Sequence, residues 1–143
     1  MDKYLKNETT NNIKEETMKK LIIAEKPSLA KKIAGALGVT SRNKNGSFES
    51  GDLIIATLVG HVIEAVYPKS DWTLDNLPLK GLESPTMRAS DGKEKIVSNV
   101  KKEITRSDVD EVVNAGDADT EGSLLVYELY EFFDVLDSGK KFT

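Results

Sequence analysis

Three short apolar runs, each separated from the next by a segment of different period, restrict the fold of this chain more than any other feature. Residues 20–24 read KLIIA, residues 53–58 read LIIATL and residues 111–115 read EVVNA. Each is rich in β-branched residues and apolar nearly throughout, as expected of a strand buried on both faces. Around them, apolar residues recur at helical spacing. Ala30, Ile33, Ala34 and Leu37 make one stripe and Ile96, Val97, Val100 and Ile104 a second. Leu125, Leu129, Phe132, Phe133 and Leu136 make a third. Strands that alternate with helices of this length pair in parallel and bury both faces under the helices. The expected class is therefore α/β, a mostly parallel sheet flanked by helices.

Local signals place the boundaries. Pro27 and Ser28 are expected to open the first helix, with Ser28 as N-cap and Gly38 closing it. Residues 39–52, rich in Gly, Asn and Ser, leave room for a short strand near Phe48. A second helix is expected from about Ser90 to Thr105. The third follows a turn over 116–122 and runs to about Val135. Between them, residues 67–87 hold Pro68, Pro78, Pro85 and Trp72 and read as a long loop or small insertion. Residues 1–17 are polar and aperiodic, the pattern of a flexible tail, so the packed domain is expected over 18–143. A length of 143 residues suits one core rather than two.

Composition excludes several classes. With 38% apolar and 31% charged residues the chain reads as a soluble globular protein. No apolar run approaches the ~20 residues that span a bilayer. No signal-like segment opens the chain, so a cytoplasmic setting without a membrane is expected. Cysteine is absent, which removes disulfides and thiolate sites and leaves hard oxygen ligands for any metal. The net charge of −4 hides an asymmetry: seven basic residues against Glu25 alone over 18–44, but ten acids and no base over 108–137. Such a pairing suits a site that holds a phosphate and a cation together, although two ordinary solvated faces would produce the same counts.

The segment Gly116-Asp117-Ala118-Asp119-Thr120-Glu121-Gly122 follows directly on the third apolar run. In an extended segment its three alternate carboxylates would point to one side. Two carboxylates ~4 Å apart repel by about 4 kcal/mol at an effective dielectric near 20. A cluster of three therefore calls for a cation, and Mg2+ matches oxygen donors that leave waters for a phosphate. The competing readings are a solvated turn, or acids that only favour the N-terminus of the next helix. Glu25-Lys26 closes the first strand, and the carboxyl ends of an α/β sheet are where ligands bind. A carboxyl group at Glu25 beside the acidic cluster would hold its proton more tightly and suit a general acid. Lys26 would bring a fixed positive charge to a phosphate.

Four blocks in order, LIIAEKPSLAKKIAGALG, LVGHVIEA, Trp72 with Asn76-Leu77-Pro78, and AGDADTEGSLLVYEL, resemble the Toprim domain of type IA DNA topoisomerases, most of all the topoisomerase III branch. The resemblance runs from about Met18 to the end of the chain. It implies a Rossmann-like Toprim fold. It also implies that Glu25 moves a proton to and from the leaving sugar oxygen and that Lys26 contacts the scissile phosphate. Asp117, Asp119 and Glu121 become the Mg2+ ligands. His61 falls in the G-H block as a candidate DNA contact, but a lone histidine after a buried strand is expected to satisfy a backbone partner. The family reads D-A-D-R-E-G-E, whereas this chain has Thr120 for the arginine and Ser123 for the second glutamate. One cation and one anion are lost together, so the local charge balance barely changes.

The implied function is that of an isomerase that cleaves and rejoins single DNA strands to pass strands and relax negative supercoils. Its substrate would be single-stranded or negatively supercoiled DNA. The family's nucleophilic tyrosine lies in a separate domain downstream, so this chain is expected to be an N-terminal fragment, inactive alone, that works with the remaining topoisomerase domains. Tyr67-Pro68-Lys69-Ser70 superficially echoes the tyrosine motif but falls inside the Toprim region. The alternatives are a free-standing Toprim nuclease or primase-like enzyme, and a divergent non-catalytic nucleic-acid-binding module.

Overall fold

The computed structural model of the chain describes residues 17–67, 73–78 and 85–143. In chain order the elements are β1 (Lys19–Ala24), α1 (Pro27–Ala36), β2 (Phe48–Ser50), β3 (Leu53–Thr57) and β4 (Ile63–Val66). After these come β5 (Thr86–Ala89), α2 (Glu94–Ile104), β6 (Val109–Ala115), α3 (Thr120–Phe132) and β7 (Lys141–Phe142). Five strands form one sheet in the order β2-β3-β1-β6-β7, and β4 and β5 form a separate antiparallel ribbon. β1 pairs in parallel with β3 on one side and β6 on the other, β7 extends β6 in parallel, and β2 alone runs antiparallel.

The strand period of two decides the layers. Ile22 and Ala24 of β1 and Ile55 of β3 pack against Ala30 and Ala34 of α1. Leu21 and Ile23 of β1, Ile54 of β3 and Val112 of β6 face the other way. They pack against Val97, Val100 and Ile104 of α2 and against Val126, Leu129 and Tyr130 of α3. The three apolar runs are thus buried on both faces, as their composition predicts. Helix α1 carries the chain from β1 to β3 over one face. Helix α2 brings it back past β1 to β6 over the other, and α3 continues outward to β7. The strand order therefore reverses between β1 and β6. At such a point the connections leave in opposite directions, and the carboxyl ends of the two strands border an open crevice.

Several boundaries differ from the sequence expectation. Ser28 is not the N-cap of α1. Lys26 takes that position with extended backbone and no side-chain cap, and Pro27 starts the helix. A proline in the first turn lacks an N–H that would otherwise need a partner and has its φ already set, so the missing cap costs little. Gly38 does end the helix, at φ 69°, with Val39 N–H bonded to the Ala34 carbonyl at 2.8 Å and Gly38 N–H to that of Gly35 at 3.3 Å. This double closure needs a left-handed residue and glycine supplies it. Leu37, placed on the buried stripe by spacing, is 49% exposed because it caps the helix where the backbone leaves it. Helix α2 starts at Glu94 rather than near Ser90, since β5 runs to Ala89 and a turn spans Ser90 to Lys93.

The β4–β5 ribbon has no counterpart in the sequence reading, because IEAV and TMRA show no clean alternation. Of the stretch over 67–87, residues 73–78 contain a single 3-10 turn, while Pro68 and Trp72 lie outside the described residues. The expected tail does too, apart from Thr17. No helix among the described residues is long and apolar enough to cross a membrane.

At the amino ends of the parallel strands a polar network ties four elements together. The Glu103 carboxylate at the end of α2 is fully buried. It accepts from Asn43 Nδ2 at 2.7 Å, Asn45 Nδ2 at 2.9 Å and Arg106 Nη1 at 3.0 Å. Arg106 also reaches Asp108 Oδ2 at 2.7 Å and Glu49 Oε1 at 3.0 Å, and Lys19 Nζ donates to Glu49 Oε1 at 2.5 Å. The first residue of β1, the edge strand β2, the end of α2 and the start of β6 are locked by charges that partner one another.

Candidate functional site

The opposite end of the sheet collects every residue that the sequence singles out. Glu25 and Lys26 follow β1 directly, Gly116 and Asp117 follow β6, and His61 comes shortly after β3. Because β3, β1 and β6 are adjacent and parallel, their carboxyl ends deliver these residues to one edge. The β3 and β1 exits are tied by Leu58 N–H to the Ala24 carbonyl at 2.8 Å and by Gly60 N–H to the Glu25 carbonyl at 3.3 Å.

Glu25 and Asp117 meet across the β1–β6 switch point. The Asp117 backbone N–H donates to Glu25 Oε2 at 3.0 Å. Lys26 Nζ lies 2.6 Å from Asp117 Oδ2, with both side chains roughly half exposed. The hydrogen bond to Asp117, then the charge of that carboxylate, holds the Lys26 ammonium above its ordinary pKa, and Glu25 and Asp119 add to the effect. Lys26 therefore stays a fixed cation at the mouth of the crevice.

The three alternate carboxylates do not share one side. Convergence required an extended run, and the backbone turns helical at Thr120, inside the expected turn. Asp119 is the N-cap of α3, its Oδ1 accepting the Gly122 N–H at 2.6 Å. Glu121 lies in the first helical turn and points to His61, with Nε2 and Oε1 3.0 Å apart on exposed side chains. His61 thus faces the acidic segment with an exposed ring, and among the described residues Glu121 is its side-chain partner. Among the described residues no three histidine, aspartate or glutamate side chains converge closely enough to hold an ion. The crowding that argued for a cation is eased by the Lys26 ammonium at Asp117 and by the amides that open α3 at Asp119.

Two glycines make the arrangement possible by close approach rather than by unusual backbone angles. A Cβ on Gly122 would stand 2.6 Å from Asp117 N and 2.7 Å from Glu25 Oε2. A Cβ on Gly116 would stand 2.2 Å from the Gly122 carbonyl oxygen. The start of α3 therefore lies directly on the β6 exit and on the Glu25 carboxylate, which only glycine at both positions allows. Sequence reasoning treated these residues as turn formers; the signal was their position at both ends of the acidic segment. Thr120 and Ser123, where the resembled motif has an arginine and a glutamate, are both exposed.

The donor set, rather than a preformed cage, is what fits a divalent metal. Glu25, Asp117, Asp119 and Glu121 offer only hard carboxylate oxygens, the ligands that Mg2+ takes. Asp117 is half exposed and pairs with Lys26, and Glu121 is exposed and hydrogen-bonded to His61.

The model of the Toprim domain family matches residues 20–143. The chain is 36% identical over 120 residues to DNA topoisomerase 3 of Haemophilus influenzae, a match that covers 79% of the chain and 18% of the relative. It is 33% identical over 134 residues to DNA topoisomerase 3 of Vibrio cholerae, covering 87% of the chain and 20% of the relative. With DNA topoisomerase 3 of Shouchella clausii it shares 36% identity over 121 residues, 79% of the chain and 16% of the relative. The chain thus spans a fifth or less of the length of these relatives.

Proposed function

This chain belongs to the Toprim domain family, and we propose that it is the metal-dependent, phosphate-handling domain of a type IA DNA topoisomerase that cleaves and rejoins single strands. The observation that carries the reading is the Glu25–Asp117 contact at the switch point, with Lys26 beside it. A carboxyl group, a fixed cation and an acidic helix start share the β1–β6 switch point, where a sheet of this order takes its ligands. Glu25 is the proton carrier: it gives a proton to the leaving sugar oxygen on cleavage and takes it back on rejoining. Its hydrogen bond from the Asp117 N–H fixes one carboxylate oxygen and leaves the other for the substrate. Lys26 neutralises the scissile phosphate and orients it. His61, exposed on the rim, is a second DNA contact.

Asp117, Asp119 and Glu121 would hold Mg2+. When bound, the ion would supply positive charge against the phosphate and position it. The contacts with Lys26 and His61 use one carboxylate oxygen each of Asp117 and Glu121, so the other oxygen of each would be available to hold the ion. DNA as substrate, further domains of a longer polypeptide as partners and a cytoplasmic setting complete the proposal, and the attacking tyrosine is expected outside these residues.

The test is calorimetric titration of the chain with Mg2+, wild type against Asp117→Asn, together with a nicking and relaxation assay on negatively supercoiled plasmid. Saturable binding in the wild type, lost in the variant, with no relaxation by the chain alone, is the expected result. Absence of Mg2+ binding would sink the metal reading. Metal-dependent nicking by the isolated chain would replace the topoisomerase reading with a free-standing nuclease.

A further inference from the structure

Asn114 is a polar residue in the run Val112-Val113-Asn114-Ala115, near the end of a strand that is otherwise apolar there, and its side chain works in two directions at once. Its Oδ1 accepts the Gly116 N–H at 2.9 Å, and its Nδ2 donates to the Ser123 carbonyl at 2.9 Å. Gly116 immediately precedes the acidic segment and Ser123 lies in the first turns of α3, so the amide closes a clamp around Asp117, Asp119 and Glu121. Inside the clamp Gly122 rests on the Asp117 backbone and on Glu25 Oε2. We propose that Asn114 is a positioning residue, setting the distance between the β6 exit and the start of α3 so that the Asp117 N–H meets Glu25 and the acidic side chains keep one register.

The chemistry of the position is restrictive. The clamp needs one acceptor and one donor on a short planar group, and asparagine supplies both. Aspartate would set a second acceptor against the Ser123 carbonyl, and alanine or leucine would leave the Gly116 N–H without its acceptor and the Ser123 carbonyl with its helical partner alone. Asn114 reaches neither Glu25 nor the carboxylate oxygens; it acts through Gly116 and Ser123. The metal part of the proposal rests on the Mg2+ reading above, whereas the clamp itself does not.

The test compares wild type with Asn114→Ala by amide hydrogen exchange and by Mg2+ titration of the same 143-residue chain. Loss of the clamp is expected to speed exchange at Gly116 and, without direct contact, at Asp117, while amides in β1 and central β6 keep their rates. Mg2+ affinity is expected to fall about tenfold, the usual scale for a partner that orients a metal ligand. Asn114→Ser keeps an acceptor for Gly116 but does not span to Ser123, so it should fall between the two. An unchanged Asp117 rate, or a uniform rise at all amides, would overturn the positioning role. Should the wild type bind no Mg2+, the functional reading fails and the exchange pattern alone decides Asn114.

Discussion

The two ends of the parallel strands carry similar charges and spend them differently. At the amino end Arg106 is shared among Glu49, Glu103 and Asp108, Lys19 adds to Glu49, and two asparagines complete the buried Glu103. Every charge there has several partners and little exposure. At the carboxyl end Lys26 pairs once with Asp117 and His61 once with Glu121, on side chains between 40% and 73% exposed. A saturated network locks elements together and satisfies its own charges, although a cavity of about 520 Å³ opens beside it, lined by Asn43, Lys44, Asn45, Glu49, Lys102 and Arg106. Single exposed pairs contribute about 0–1 kcal/mol each to stability and are easily exchanged for a stronger partner. The contrast separates charge that builds the fold from charge that is available for chemistry.

The largest effect is expected from Arg106→Met. It leaves Glu103 as a buried charge without its ion-pair partner, so a loss of about 3–5 kcal/mol is expected, read from urea unfolding with and without Mg2+. A loss below 1 kcal/mol would mean that the amino-end network is no more structural than the site. The same network predicts an acid limb. The hydrogen bond from Arg106, helped by those from Lys19 and Asn43, holds the Glu49 carboxyl down to about 2 from its ordinary 4.5. Since the folded value lies below the unfolded one, this stabilisation is complete above about pH 4.5 and is lost as the pH falls towards 2. Thermal unfolding across that window should flatten in Glu49→Gln; an undiminished slope would assign the acid limb elsewhere.

At the carboxyl end the effects on stability are smaller. Gly122→Ala forces a Cβ onto Asp117 and Glu25 and is expected to cost about 1–3 kcal/mol, as overpacking does, while also displacing the Glu25 carboxylate. Asp119 separates stability from charge. Asp119→Ala removes the cap of α3 and should cost about 1 kcal/mol, whereas Asp119→Asn keeps a capping oxygen and should cost almost nothing. If both variants lose Mg2+ binding and only the alanine loses stability, capping and metal binding are separate duties of one side chain. Equal stability of the two would mean that the cap contributes nothing measurable.

Much of this was legible in the sequence for definite reasons. Runs such as KLIIA and LIIATL are apolar at every position that a doubly covered strand buries, so the strands and their parallel pairing followed from composition. Glu25 and Asp117 were placed at strand ends and do meet there. The strand order was not legible: that β1 lies between β3 and β6, which makes the two residues neighbours, is a long-range fact. The bend after Asp119 was present in the sequence only as a competing reading, acids that favour the next helix N-terminus, because alternation of carboxylates fits strand geometry equally well. The amino-end network was missed as well. Asn43, Glu49, Glu103 and Arg106 are spread over sixty residues and show no local pattern, so only the fold makes them partners.

If the carboxyl end of the sheet takes the ligand, as proposed, that end alone responds to Mg2+. Amide chemical shifts recorded through a Mg2+ titration test it most directly. Saturable shifts are expected at Glu25, Lys26, His61 and residues 116–122, with Glu49, Glu103 and Arg106 unmoved. Shifts centred on the amino-end network, or none that saturate, would contradict it.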